Sequence, residues 1–172
     1  MADEVCYTYL ASPLGKLLLT SDGEGLTGIQ FPRHQPSTPP PHWKRDPRRF
    51  TEACRQLRAY FAGELRDFDL PLALAGSPFE RRVWNALRKI PHGKTVSYGH
   101  IAARIGQPKA CRAVGLANGK NPVPIVVPCH RVIGADGGLA GYGGGLDTKR
   151  WLLKLEGVHF ETRRRRTVLA AG

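Results

Sequence analysis

Apolar and polar positions along this 172-residue chain change period several times, and each change predicts an element. Residues 5–10 and 15–20 are short runs of β-branched, aromatic and leucine residues, split by Ser12, Pro13, Leu14 and Gly15. Asp22-Gly23-Glu24-Gly25 leads into a third run at 26–31. Runs of that length, bounded by turn-forming residues, predict a small three-stranded antiparallel sheet. From Pro32 to Pro41 the prolines are too dense for a helix or an inner strand, which makes 32–42 a surface loop. Beyond Pro47 the apolar positions Phe50, Ala53, Cys54, Leu57, Tyr60 and Phe61 recur at steps of three and four, the mark of one helical face, predicted to pack on the sheet. Residues 67–75 read as extended.

A different pattern begins at Ser77-Pro78-Phe79-Glu80. Serine can cap a helix, proline suits its first turn, and glutamate stands at the third position of a capping box. This helix carries Phe79, Val83, Trp84, Leu87 and Ile90 inward and stops at Pro91-His92-Gly93; Trp84 is in step with that face and reads as core. Residues 97–106 form a short capped helix, a glycine turn follows, and residues 108–118 form a second helix, which is helix-turn-helix spacing. The second helix is built of small residues, which suit either tight internal packing or close approach to another surface. The cations Lys94, Arg104, Lys109, Arg112 and Lys120 gathered around it favour a surface facing phosphates. The expected architecture is α+β: an N-terminal domain over 1–75, a mainly helical domain over 76–160, and a basic, disordered tail over 161–172.

Charge narrows the partners. Lys and Arg number 26 against 14 Asp and Glu, a formal net charge of +12, which favours a polyanion. No apolar run approaches the roughly 20 residues of a spanning helix. The start, Met1-Ala2-Asp3-Glu4-Val5, has neither the basic head nor the apolar stretch of a signal peptide. The expected location is the cytoplasm, with a polyanion such as nucleic acid as partner and no membrane. Cys6, Cys54, Cys111 and Cys129 are unevenly spaced, with no Cys-x-x-Cys pair and no Cys/His cluster, so reduced thiols and no metal site are expected; Cys6 and Cys54 read as small core residues.

Residues 126–132, Val-Val-Pro-Cys-His-Arg-Val, hold the chain's candidate chemistry. A thiol attacks carbon as its thiolate, and a free cysteine with a pKa of about 8.5 is mostly protonated at neutral pH, so a nucleophilic Cys129 needs a basic partner. His130 is the candidate. Adjacent side chains on an extended segment point to opposite faces, so the pair meets only through a bend or a bridging water. Pro128 supplies a reason for a bend.

With Asn-Pro-Val-Pro at 121–124, Tyr-Gly-Gly-Gly at 142–145 and Lys-Arg-Trp-Leu-Leu-Lys-Leu-Glu at 149–156, the segment from about Ser77 to Gly157 resembles the O6-alkylguanine-DNA alkyltransferases in order and spacing. The resemblance implies a direct-reversal DNA repair protein. It would move the alkyl group of O6-alkylguanine, and of O4-alkylthymine, irreversibly to Cys129, once per molecule and without a cofactor. It also implies the roles. Cys129, water, His130 and Glu156 form a relay, and Tyr98 crowds the phosphate 3′ to the target and donates toward the guanine. Asn121 supports the turn before the active-site segment, and Arg131 makes an ion pair or a phosphate contact.

The small-residue helix, with Ala110, Cys111 and Ala113 beside Arg112, is implied to enter the minor groove, where Arg112 fills the gap left by a flipped-out nucleotide; Lys94 and Lys109 add phosphate contacts. The base pocket is implied to use the carbonyls of Cys129 and Val132, the wall of Tyr142 and the backbone N–H of Gly143. Cys111 departs from the family's commoner alanine. The partner implied is double-stranded DNA bearing O6-alkylguanine, bound by a monomer; cooperativity along DNA is not legible in the sequence. The arginines at 163–166, outside the resemblance, would add non-specific phosphate affinity.

Two other classes compete. A recognition module that flags alkylated DNA without chemistry has no use for the thiol of Cys129. A cysteine hydrolase with a Cys-His-Glu triad has the residue types but leaves the basic charge and the arginine-bearing helix unexplained.

Overall fold

A computed structural model describes residues 4–139, 141–142, 144–163 and 166–169, with backbone alone from 160 onward. The chain divides into two compact units, residues 1–75 with 122–124, and residues 76–121 with 125–172.

The first unit is built on β1 (Cys6–Ser12), β2 (Gly15–Ser21), β3 (Leu26–Gln30) and β4 (Lys44–Arg45), in the order β3-β2-β1-β4. β1 and β2 form a tight antiparallel hairpin. Gly15 takes a φ of 96° at its turn, and the Ser12 hydroxyl donates to the Gly15 carbonyl at 2.6 Å. In β1 Cys6, Thr8 and Leu10 are buried and alternate with half-buried Tyr7 and Tyr9, whereas the central β2 is buried continuously from Leu17 to Ser21.

The sheet has a fourth strand beyond the three expected. Past the proline-rich loop the chain returns parallel to β1, held by Lys44 N–H to Val5 O at 2.8 Å and Asp46 N–H to Tyr7 O at 3.0 Å. These are backbone bonds between two polar residues and a distant strand, so no side-chain period announces them. The predicted helix is α1 (Thr51–Phe61), which buries Ala53, Cys54, Leu57 and Tyr60 below Phe50. Gln56 is buried with them because its carboxamide is satisfied at both ends by Asp69, accepting from the N–H and donating to the C=O, each at 2.9 Å. That pair holds the extended 67–75 segment, which continues through Leu26 N–H to Pro71 O and Ala73 N–H to Leu26 O.

The second unit opens with α2 (Pro78–Leu87). Both halves of the capping box form, Glu80 N–H to Ser77 Oγ at 3.1 Å and Ser77 N–H to Glu80 Oε1 at 2.9 Å. Val83, Trp84, Leu87 and Ile90 are buried, and the Trp84 indole donates to the Ala117 carbonyl at 2.8 Å, tying α2 to the second recognition-type helix. Phe79 is only half-buried.

After β5 (Val96–Ser97) come α3 (Tyr98–Arg104), capped by Ser97 Oγ accepting from His100 N–H, and α4 (Cys111–Gly119). Gly106, with a φ of 78°, makes the turn between them. α4 starts three residues later than expected, because residues 107–110 close a separate turn through Ala110 N–H to Gln107 O. β6 (Val132–Ile133) pairs parallel to β5, and α5 runs over Leu146–Leu155.

At the end of the described residues β7 (Phe160–Arg163) pairs antiparallel with β8 (Arg166–Leu169), while residues 164–165 and 170–172 of the stretch expected to be disordered lie outside the described residues.

Candidate active site

The segment before the thiol is bent twice. Ile125 is buried with a φ of 76°, a left-handed conformation that a β-branched side chain rarely adopts. Three residues on, Pro128 has φ −81° and ψ 64°, and Cys129 N–H donates to Val127 O at 2.8 Å, closing an inverse γ-turn. Asn121 Nδ2 donates to the same Val127 carbonyl at 2.8 Å. Cys129, His130 and Arg131 then make one turn of 3-10 helix, with Arg131 N–H on Pro128 O at 3.0 Å, before the chain enters β6. The bend that Pro128 suggested in the sequence is therefore present, and it lies ahead of Cys129. All four cysteines are free thiols; Cys6, Cys54 and Cys129 are buried and Cys111 is exposed.

His130 and Glu156 have no solvent exposure in their side chains. The imidazole Nε2 lies 2.7 Å from Glu156 Oε2. Arg131 approaches the same carboxylate with Nε to Oε1 at 2.7 Å and an Nη to Oε2 at 3.0 Å, while its other Nη donates to Ile90 O at 2.7 Å. Arg131 is thus an ion-pair residue turned into the fold.

Burial pushes the Glu156 carboxyl up, but the hydrogen bonds from His130 and Arg131 outweigh it and hold the group well below the usual carboxylate range. Burial is the largest influence on His130 and keeps its pKa below the ordinary value despite the Glu156 contact, so the ring is neutral at pH 7. An ionised carboxylate only accepts, so Nε2 carries the ring proton and Nδ1 offers a lone pair. Nδ1 is buried and has no hydrogen-bond partner among the described residues. The imidazole is therefore neutral, with its tautomer fixed by Glu156 and a basic nitrogen left over, and it is next in sequence to a thiol.

Burial also pushes the Cys129 thiol up; a hydrogen bond from Asn121, the charge of Lys149 and the Tyr142 hydroxyl pull it back. Lys149 escaped the sequence reading. Its side chain is wholly buried, its Nζ donates to Val132 O at 2.6 Å, and burial lowers its pKa to about 8 against the attraction of the Cys129 thiolate. The available signal was its register: Lys149, Leu152, Leu153 and Glu156 fall at i, i+3, i+4 and i+7, so a lysine sits on the inward stripe of α5. Tyr98 is half-buried, and burial together with the Cys129 charge raises its pKa, keeping the phenol a donor.

The implied pocket carbonyls are already engaged. Val132 O accepts from Lys149, and Cys129 O accepts a long bond from Asn118 Nδ2 at 3.5 Å, which leaves each a second lone pair. Tyr142 is placed beside the thiol; Gly143 lies outside the described residues.

On α4, Val114, Ala117 and Asn118 face inward, while Cys111, Arg112 and Ala113 are exposed and Ala110 is half-buried. Leu116 is 68% exposed, an apolar side chain on the outward face that the sequence reading did not single out. Lys94, Arg104, Lys109 and Lys120 are exposed as well, with Lys120 Nζ 3.8 Å from Glu80. The small-residue helix is therefore an open surface rimmed by cations.

Two family models cover nearly the whole chain: the 6-O-methylguanine DNA methyltransferase ribonuclease-like domain over residues 5–74, and the DNA binding domain of the same proteins over 78–158. The chain belongs to the 6-O-methylguanine DNA methyltransferase family. A relative in Methanosarcina acetivorans named methylated-DNA–protein-cysteine methyltransferase is 55% identical over 152 residues, 88% of this chain and 97% of that protein. One of the same name in Mycobacterium tuberculosis is 54% identical over 150 residues, 87% of this chain and 91% of its own.

Among solved structures, M. tuberculosis OGT in complex with DNA superposes with a TM-score of 0.82 at 55% identity, covering 88% of this chain and 92% of that one. S. pombe Atl1 in complex with damaged DNA containing O6-carboxymethylguanine matches at 32% identity and a TM-score of 0.50, over 56% of this chain and 92% of its own. For this family member the α+β reading holds, with the N-terminal sheet followed by the helical unit. Among the described residues, no helix is long and apolar enough to cross a membrane.

Proposed function

We propose that this protein repairs DNA by direct reversal, taking the alkyl group of O6-alkylguanine, and of O4-alkylthymine, onto Cys129 in a single irreversible turnover. The observation that carries the reading is the join of Cys129 to His130, whose Nε2 is fixed on Glu156 at 2.7 Å while Nδ1 is left basic and unpartnered.

The duplex is bound through the minor groove by the exposed face of α4. A base inside the stack shields the carbon behind O6, so the target nucleotide must rotate out, and Arg112 takes its place while Tyr98 crowds the neighbouring phosphate. The Cys129 thiol passes its proton through water to His130 Nδ1, and Glu156 stabilises the imidazolium. The thiolate attacks the alkyl carbon in line, the carbon–O6 bond breaks, and its electron pair leaves on guanine, whose developing charge the Tyr98 hydroxyl meets with a hydrogen bond. The product is a thioether, which has no hydrolytic way back, so each molecule acts once as a monomer and needs no cofactor.

A recognition module is the second reading, favoured by the 32% identity to Atl1 and its damaged-DNA complex. The buried His130–Glu156 pair next to Cys129 supports transfer instead, since binding alone has no use for a tautomer-fixed base. Intact mass of the protein after mixing with a duplex carrying one O6-methylguanine separates the two. The expected result is a single added methyl, mapped to Cys129, that stops at one equivalent. An unchanged mass with tight lesion binding would favour the module, and Cys129→Ser should bind DNA without gaining mass.

A further inference from the structure

On the face of the N-terminal sheet opposite Cys6, Thr8 and Leu10 runs a row of half-buried rings, beside the buried Leu18 and Thr20. Tyr7 and Tyr9 alternate with the buried Cys6, Thr8 and Leu10 and are both half-buried. Their rings meet edge to face at 5.8 Å and 80°, and the Trp43 ring, also half-buried, leans on Tyr7 at 6.1 Å and 48°. Lys16 places its Nζ 4.2 Å from the centre of the Tyr9 ring. At the other end, Tyr7 is the ladder partner of Arg45 in β4.

The segment that carries Trp43 is strongly basic. Residues 32–49 hold five lysines and arginines against the single acid Asp46, which Arg49 already engages at 3.1 Å. Arg33, Lys44, Arg45 and Arg48 are exposed and have no carboxylate partner among the described residues.

Uncompensated cations beside half-exposed aromatic rings match one polymer in both respects. A single-stranded polynucleotide has a phosphate at every step and, between phosphates, bases with open π-faces. A duplex offers the phosphates but keeps its base faces stacked, and an acidic peptide has no use for the rings. We propose that this face of the first unit is a second nucleic-acid surface that takes an unpaired stretch of DNA, with bases against Tyr7, Tyr9 and Trp43 and phosphates against Lys16, Lys44 and Arg45.

The test is equilibrium binding of a lesion-free single-stranded oligonucleotide to the full chain at several salt concentrations. Four proteins are compared: the parent, Lys44→Glu/Arg45→Glu, Trp43→Ala and Trp43→Phe. The charge variant is expected to lose about tenfold in affinity, with a log–log salt slope shallower by about 0.7 for each phosphate contact removed. Trp43→Ala should lose about five- to a hundredfold, the worth of one stacked base, and Trp43→Phe should stay near the parent.

Methyl transfer from a lesion duplex at saturation should be unchanged in all four, so this surface is read apart from the active site. An unchanged affinity and slope in the charge variant overturns the proposal. So does a folded Trp43→Ala that binds as the parent, since only general positive charge would then remain. If Trp43→Ala does not fold, photo-crosslinking of a 5-bromouracil oligonucleotide to the parent decides. Crosslinks at Tyr7, Tyr9 or Trp43 are expected, and crosslinks confined to α3 and α4 overturn it.

Discussion

Lys149 donates through Nζ to the Val132 carbonyl at 2.6 Å with its whole side chain withdrawn from solvent. A buried ammonium is costly to keep, and it lowers the Cys129 thiol only while it is charged. Lys149→Met should therefore raise the thiol pKa and slow methyl transfer at pH 7 by lowering the thiolate fraction. The rate of Cys129 alkylation by a small reagent against pH checks it directly.

A merely structural lysine would leave that profile in place. The same variant should flatten a feature of stability. The unfolded chain keeps the lysine proton up to its ordinary 10.5 while the folded protein releases it at about 8. Between those values the unfolded state binds more protons, so stability rises with pH in the parent and not in the variant.

On the acid side the sign is the same. Glu156 holds its carboxyl below the ordinary 4.5, and His130 its ring below the ordinary 6.5, so in both cases the unfolded chain takes up a proton the folded protein refuses. Stability from these groups is present above those values and is lost as pH falls, first through the histidine and then through the carboxylate. Melting temperatures from pH 7 to pH 3 should fall steeply in the parent. In Glu156→Gln the steepness below 4.5 should shrink, and its persistence there would assign acid unfolding to other carboxylates.

Arg131 pairs with both oxygens of the Glu156 carboxylate and also satisfies the Ile90 carbonyl. Arg131→Met removes both and leaves a buried carboxylate with only a neutral imidazole beside it. A loss of about 3 kcal/mol is expected, read from the urea midpoint. A loss within a few tenths would mean that water replaces the guanidinium.

Arg112 stands exposed on α4, away from the buried relay. Arg112→Ala should slow methyl transfer from a duplex while leaving transfer from free O6-methylguanine base near the parent rate. Equal impairment on both substrates would remove Arg112 from nucleotide flipping.

The sequence made local structure legible where side chains alone decide it. The capping box at Ser77 and Glu80, the inward stripe of α2 and the hairpin at Gly15 all follow from residue type and spacing. Cys129 and His130 stood out in the local motif and the resemblance supplied Glu156, which the fold brings within 2.7 Å of His130 although 26 residues separate them. What escaped was decided at long range. β4 exists through backbone bonds to β1, and the inward register of Lys149 does not say that the Val132 carbonyl receives its ammonium. Residue type carries no information about a carbonyl 17 positions away.

Ile125 fixes what can be moved as a unit. The aim of the thiol depends on a left-handed residue four positions upstream and on the Asn121 amide braced against Val127, so the heptapeptide around the cysteine does not contain its own geometry. Transplanting the nucleophile into another scaffold would require the stretch from 121 to 133, with a site able to accept a branched side chain on a backbone that glycine would prefer. Reactivity here is a property of a thirteen-residue knot, and a shorter graft would carry the thiol without its direction.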